Sequence, residues 1–308
     1  MNKGLMYVII FDILSAAQSV WLGSLLQGIS IFNILFINFS IITIVFVGLN
    51  LLSKKNSGKL TIENVVYFVI LNISTLGSWF FLYSSLQYME PALSAVTLYG
   101  INPLATLFVS VLIFRKASIM TTPKVAVAFL TIISMIVVGI TVSEGESAIT
   151  SYNNSEVMQG FIFAILTGFC MAVINVVSKK IYDNGFNLYQ LMSLRFFALL
   201  IFSFLMSKEI SIDFQQNISA FLIIAIIGNV IPLLMLQKGI SISEPSKVAY
   251  TLLLTPIFVF MFQQLDDRIS LSLHSLAAIS TVVILSIVGT YIDRAKPITK
   301  RAEARANG

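Results

Sequence analysis

Asp12, Arg195 and Lys247 are charged side chains that stand inside long apolar runs, where a charge has to be doing something. Asp12 lies in GLMYVIIFDILSAAQSVWLGS and Arg195 in LYQLMSLRFFALLIFSFLM. If these runs cross a bilayer, an ionised carboxylate in one of them costs several kcal/mol unless it is paired, solvated or protonated. Three uses fit the pair: a structural Asp12–Arg195 ion pair, an Asp12 that binds a proton or a substrate amine, and an Arg195 that binds a substrate carboxylate alone. Both sites fall about 10–12 Å into their runs at 1.5 Å rise per residue, so they can share a depth. Lys247 follows Glu244 at the i,i+3 spacing that favours an ion pair, and its stem is long enough to snorkel to the interface.

Other chemistry is absent from the sequence. One Cys (Cys170) and one His (His274) cannot make a disulfide or a Cys/His zinc, haem or catalytic set within one chain. No Gly-rich Lys-Ser/Thr loop is present to cradle a phosphate, so ATP does not drive the chain directly. We expect no cofactor, no metal and no enzymatic activity; a polytopic enzyme acting on lipid would need acids or His clustered near one interface. A receptor or assembly partner that transports nothing is the other alternative.

The elements that must position these residues follow from composition. Of 308 residues, 57% are hydrophobic and 11% charged. A soluble domain carries about 25% charged residues, and a soluble fold of this length could not hide so much apolar surface. Runs of about 20 apolar residues, each able to cross the hydrocarbon core, occur ten times: about 4–24, 31–52, 64–86, 91–114, 123–142, 158–178, 188–207, 217–237, 245–265 and 271–292. The gaps between them are short, which leaves no room for a soluble domain. The predicted fold is all-α and integral to a membrane, with ten transmembrane helices.

The net charge of +5 marks topology rather than nucleic acid. With the N-terminus inside, the inner segments hold Lys3, Lys54, Lys55, Lys59, Arg115, Lys116, Lys124, Lys179, Lys180, Lys238, Arg294, Lys296, Lys300, Arg301 and Arg305. The outer segments hold Lys208 and Arg268, and the outer loop from Ser143 carries Glu144, Glu146 and Glu156. This asymmetry predicts both termini in the cytoplasm. Asp12 interrupts the first run and argues against a cleaved signal peptide.

The sequence also repeats itself. Glu90-Pro91 matches Glu244-Pro245, Pro103 matches Pro256, Arg115 matches Arg268, and Asn38-Phe39 matches Arg195-Phe196, at offsets of about 153–157. Each half then holds five spans, and an odd number turns the second half over in the membrane. On these residues the chain resembles the drug/metabolite transporter superfamily, in particular its EamA-type ten-helix transporters. The resemblance covers nearly the whole chain. It implies two inverted five-helix repeats (1–145 and 146–293), a cytoplasmic tail (294–308) and a central cavity surrounded by spans one, three, four, six, eight and nine. It also implies alternating access, and export of small polar metabolites such as amino acids. With no nucleotide site, a proton gradient or facilitated diffusion is the expected driving force, and the bacterial inner membrane the expected location. The expected partners are a small-molecule substrate and the lipid bilayer, with no nucleic acid, for a monomer or homodimer.

The remaining candidates lie inside spans. Pro103 and Pro256 each remove a backbone donor near mid-bilayer and free the carbonyls of Tyr99 and Leu252, which predicts kinks. Among the intramembrane amides Gln18, Asn38, Asn72, Asn102, Asn175 and Asn229, the cavity candidates are Asn102 and Asn175. Trp79, Tyr83, Tyr99 and Tyr250 offer ring faces to a cation or a ring. Packing and interhelical hydrogen bonds are the competing use of all of them.

Overall fold

A backbone in lipid has no water to bond, so each segment satisfies its own amides and carbonyls by becoming a helix. The computed structural model describes residues 3–53, 58, 59, 61–115, 122–143, 154–208, 210–267 and 269, with helical positions 276, 280, 281, 284 and 288. The elements are α1 (Lys3–Leu25), α2 (Ile31–Leu52), α3 (Ile62–Tyr88), α4 (Pro91–Phe114), α5 (Thr122–Ser143), α6 (Asn154–Asp183), α7 (Leu188–Leu194), α8 (Phe197–Met206) and α9 (Ile210–Ile223). A π-helix (Ile224–Val230) follows, then α10 (Ile231–Ile242), α11 (Pro245–Leu252) and α12 (Thr255–Gln263). No strand occurs among the described residues. Eight stretches are long and apolar enough to span: Lys3–Leu25, Ile31–Leu52, Ile62–Tyr88, Pro91–Phe114, Ser155–Asp183, Leu188–Met206, Asn217–Ile242 and Pro245–Gln263.

These eight match expected spans one to four and six to nine. The fifth corresponds to α5, of which Thr122–Ile133 is an apolar helix among the described residues. Of the tenth expected span, 271–292, only the five helical positions above are described. His274, the tail from Asp293, and Lys54, Lys55, Lys116, Glu144, Glu146 and Arg268 lie outside the described residues.

Local sequence sets the helix ends. Thr61 caps α3 by accepting the Asn64 amide at 3.3 Å. Pro91 and Pro245 occupy first turns, where a missing N–H does no harm. The α4 helix stops at Arg115, in the left-handed region at φ 52°.

Three spans depart from simple helices. Span seven is broken at Arg195–Phe196, between α7 and α8. Span eight bends at Asn217 (φ −123°, ψ 20°) and then widens into the π-helix. Span nine breaks at Leu253–Leu254, where the Leu254 amide bonds back to Thr251 at 3.0 Å and Pro256 enters the first turn of α12. Pro256 therefore ends one helix and starts another, whereas its repeat partner Pro103 sits inside the unbroken α4. The two prolines expected to act alike do not.

Packing pairs the two halves. α1 lies against α10, α11 and α12; α6 lies against α3 and α4; α2 lies against α7 and α8; α4 lies against α11 and α12. At the α2–α7/α8 contact the matched phenylalanines Phe39 and Phe196 meet, ring centres 5.3 Å apart. Gly168 sets the approach of α6 to α4, because a Cβ there would run into the Leu98 carbonyl and the Ile101 side chain. Outward-facing Ile44, Leu52, Ile73, Phe108, Ile201 and Phe204 are exposed, as lipid-facing side chains must be.

Candidate functional site: a central cavity

The described helices enclose a cavity of about 70 Å³. Its wall is built by α1 (Phe11, Ser15, Gln18, Leu22), α3 (Ser78, Trp79, Leu82), α4 (Ser94, Leu98, Tyr99), α6 (Met171, Ile174, Asn175), the π-helix and α10 (Asn229, Leu233, Leu236), α12 (Thr255, Val259) and Arg195. Those are spans one, three, four, six, eight and nine, the six that the resemblance implies, with one residue added from span seven.

The break in span seven puts Arg195 there, and one side chain from α3 holds the break. Asn72 Nδ2 donates to the Leu194 carbonyl at 2.8 Å and to its own Phe68 carbonyl at 2.9 Å. Its Oδ1 accepts the Ala198 amide at 3.3 Å. One amide thus serves the carbonyl that ends α7 and the amide that begins α8, both orphaned by the break. In the sequence Asn72 is one of several intramembrane amides, with nothing to set it apart.

Arg195 is 2% exposed. Its Nη1 reaches Met192 Sδ at 3.7 Å, its plane lies 5.2 Å from the Phe196 ring centre, and Nε has no partner. Asp12 is fully buried and sits behind the wall. Thr255 Oγ1 donates to Asp12 Oδ1 at 2.8 Å, and Oδ2 has no partner. Among the described residues no ion pair joins Asp12 to Arg195, so the structural pair that sequence allowed is not formed.

The other candidates divide. Trp79, Tyr99 and Asn175 line the cavity, and Asn175 Nδ2 lacks a partner. Tyr83 is buried outside the lining, packed edge-on against Trp79 at 5.9 Å. Asn102 donates to the Gly168 carbonyl at 3.3 Å and accepts from Thr106 at 3.2 Å, which is helix-to-helix bonding rather than lining. Lys247 pairs with Glu244 at 3.3 Å, as its spacing predicts. Tyr250 donates its hydroxyl to the Lys124 carbonyl at 3.0 Å. Sequence reasoning missed Thr255, whose only signal is its place before Pro256. It also missed Gln263, which accepts the Ala92 amide at the start of α4 at 3.0 Å.

A second, larger hollow of about 550 Å³ lies beyond the cavity's α6–α10 wall, lined by Tyr7, Tyr182, Phe186, Tyr189, Met235 and Lys238 among others. Tyr182, two turns past Asn175 on α6, donates to Gln237 Oε1 at 2.8 Å.

These features define a helical integral membrane protein built around a central cavity whose largely apolar wall carries Arg195 and a few neutral polar side chains. Residues 158–292 match the EamA-like transporter family, the domain of the drug/metabolite transporter superfamily. The match covers the second half of the chain, from α6 onward. A solved crystal structure, titled only as that of a protein, is similar in fold: the TM-score is 0.64 over 96% of this chain and 97% of that one, at 16% identity. No curated protein matches the sequence.

Proposed function

We propose that the protein is a secondary transporter that exports small polar metabolites such as amino acids by alternating access, with Asp12 carrying a coupling proton. The observation behind this reading is the convergence of six spans on a cavity that has Arg195 in its wall and Asp12 one side chain behind it. Two buried charges that do not neutralise each other are expensive in a membrane and rare without a function. Helix breaks at the cavity, in spans seven and nine, are the usual way such folds bring polar groups to mid-bilayer.

In this reading the chain has ten spans arranged as two inverted five-helix repeats, residues 1–145 and 146–293, and both termini face the cytoplasm of a bacterial inner membrane. The packing supports it. Span one lies on spans eight and nine as span six lies on spans three and four, which is the exchange an inverted repeat requires. Trp79, Tyr99, Asn175 and Arg195 contact the substrate, and Thr255 relays the state of Asp12 to the cavity.

The test is counterflow of pooled radiolabelled metabolites, amino acids first, in proteoliposomes with and without a pH gradient. Uptake that responds to the gradient in wild type and is lost in Asp12→Asn is the expected result. Full gradient response in Asp12→Asn would sink the coupling role, and silence in every pool from folded protein would sink the transporter reading.

A further inference from the structure

We infer that the cavity selects organic carboxylates with an apolar body over amines and zwitterions, with Arg195 as the group that binds the carboxylate. This rests on the transporter reading above and departs from it in one respect: amino acids, as zwitterions, become poor substrates.

The first support is the state of Arg195. A guanidinium carries five N–H donors in a plane. Here one of them meets a thioether at 3.7 Å, Nε meets nothing, and no described carboxylate lies within ion-pair distance. A buried cation left in that condition is strongly unfavourable, and an incoming carboxylate relieves it with a bidentate pair. The site is also pre-organised. Arg195 occupies the joint between α7 and α8, and Asn72 clamps the backbone on both sides. Little ordering remains to oppose binding.

The second support is the distribution of charge along the route. Among the described residues no Asp or Glu lines the cavity. Asp12 stands behind Thr255, and one of its oxygens is already occupied by that hydroxyl. An ammonium entering the cavity would surrender its water and find only neutral oxygens. The neighbouring hollow likewise has no acid among the described residues of its wall, but it has the exposed Lys238, whose ammonium lies 5.9 Å from the Tyr7 ring centre and has no carboxylate partner among the described residues. α10 stands between the two spaces: it turns Leu233 and Leu236 to the cavity, and Met235 and Lys238 to the hollow. Most of the remaining wall surface is apolar, with neutral side chains such as Gln18, Asn175 and Asn229 as its polar points, which sets the character of the body attached to the carboxylate.

The test uses four probes that share one ring and chain: 3-phenylpropionate, phenylalanine, phenethylamine and 3-phenylpropionamide. Each is titrated calorimetrically into the full chain in lipid nanodiscs. We expect 3-phenylpropionate to bind at least tenfold more tightly than phenylalanine or the amide, with phenethylamine weakest. Arg195→Gln should weaken the carboxylate at least tenfold and leave the amide within twofold. Arg195→Lys should fall between, because it keeps the charge and loses the fork. Phenylalanine or phenethylamine binding as well as the carboxylate would overturn the inference, and so would the absence of binding by all four. The wild-type ranking decides this even if a variant does not fold. Carboxylate binding without counterflow of any pool would sink the transporter reading and leave the carboxylate site standing.

Discussion

Replacing Asn72 by Leu is the sharpest test of how the break in span seven is held. The change preserves an apolar, helix-forming side chain on α3 and removes both bonds across to α7 and α8. The Leu194 carbonyl and the Ala198 amide then lose their partners. A buried backbone group left unsatisfied costs about 1–3 kcal/mol. Interhelical polar contacts in membranes average nearer about 0.6 kcal/mol, because the unfolded chain finds substitutes there. Two groups bracket the loss between about 1 and 6 kcal/mol. Phe196 is fully buried beside the break and packs on Phe39, so no lipid headgroup or bulk water can step in. We therefore expect about 2–4 kcal/mol. The assay is unfolding of the purified protein in mixed micelles of increasing SDS fraction, followed by circular dichroism. A variant within about 0.5 kcal/mol of wild type would refute the claim that this side chain secures the break.

Two further outcomes follow from packing and from the carboxylate at Asp12. Gly168→Ala should destabilise by about 1–3 kcal/mol in the same assay, since its Cβ meets the Leu98 backbone, while Gly48→Ala, which meets nothing, should be neutral or slightly stabilising. Thr255→Val removes the bond to Asp12 with little change of shape; about 1–3 kcal/mol of stability should go with it, and gradient-driven counterflow should fall as in Asp12→Asn.

What could be read from the sequence depended on the residue. Eight of the ten expected spans, one to four and six to nine, were legible because lipid demands length and apolarity, and both are visible in a string. The Glu244–Lys247 pair was legible because it is local, one turn apart on one helix. Which way a mid-span residue faces was not. Asn102 and Asn175 look alike in sequence, yet one ties α4 to α6 and the other lines the cavity. Spans that are apolar on every side carry no periodic signal to separate them. The break at Arg195–Phe196 left no trace either, because no Gly or Pro marks it and its stabiliser is 123 residues earlier in the chain. Pro256 did mark a break, but Pro103 shows that the same residue can be absorbed by an intact helix.

The clamp made by Asn72 also bears on how the chain is built. Released into lipid alone, span seven would carry a gap in its ladder and a guanidinium beside it, each opposing insertion. Its missing peptide partner is a side chain of span three, which the ribosome delivers long before. The N-terminal half can thus act as a template already in the membrane when span seven emerges. Synthesised without it, the C-terminal half would enter the bilayer with its most difficult helix unsupported, and the order of the two halves along the chain becomes part of the folding instruction.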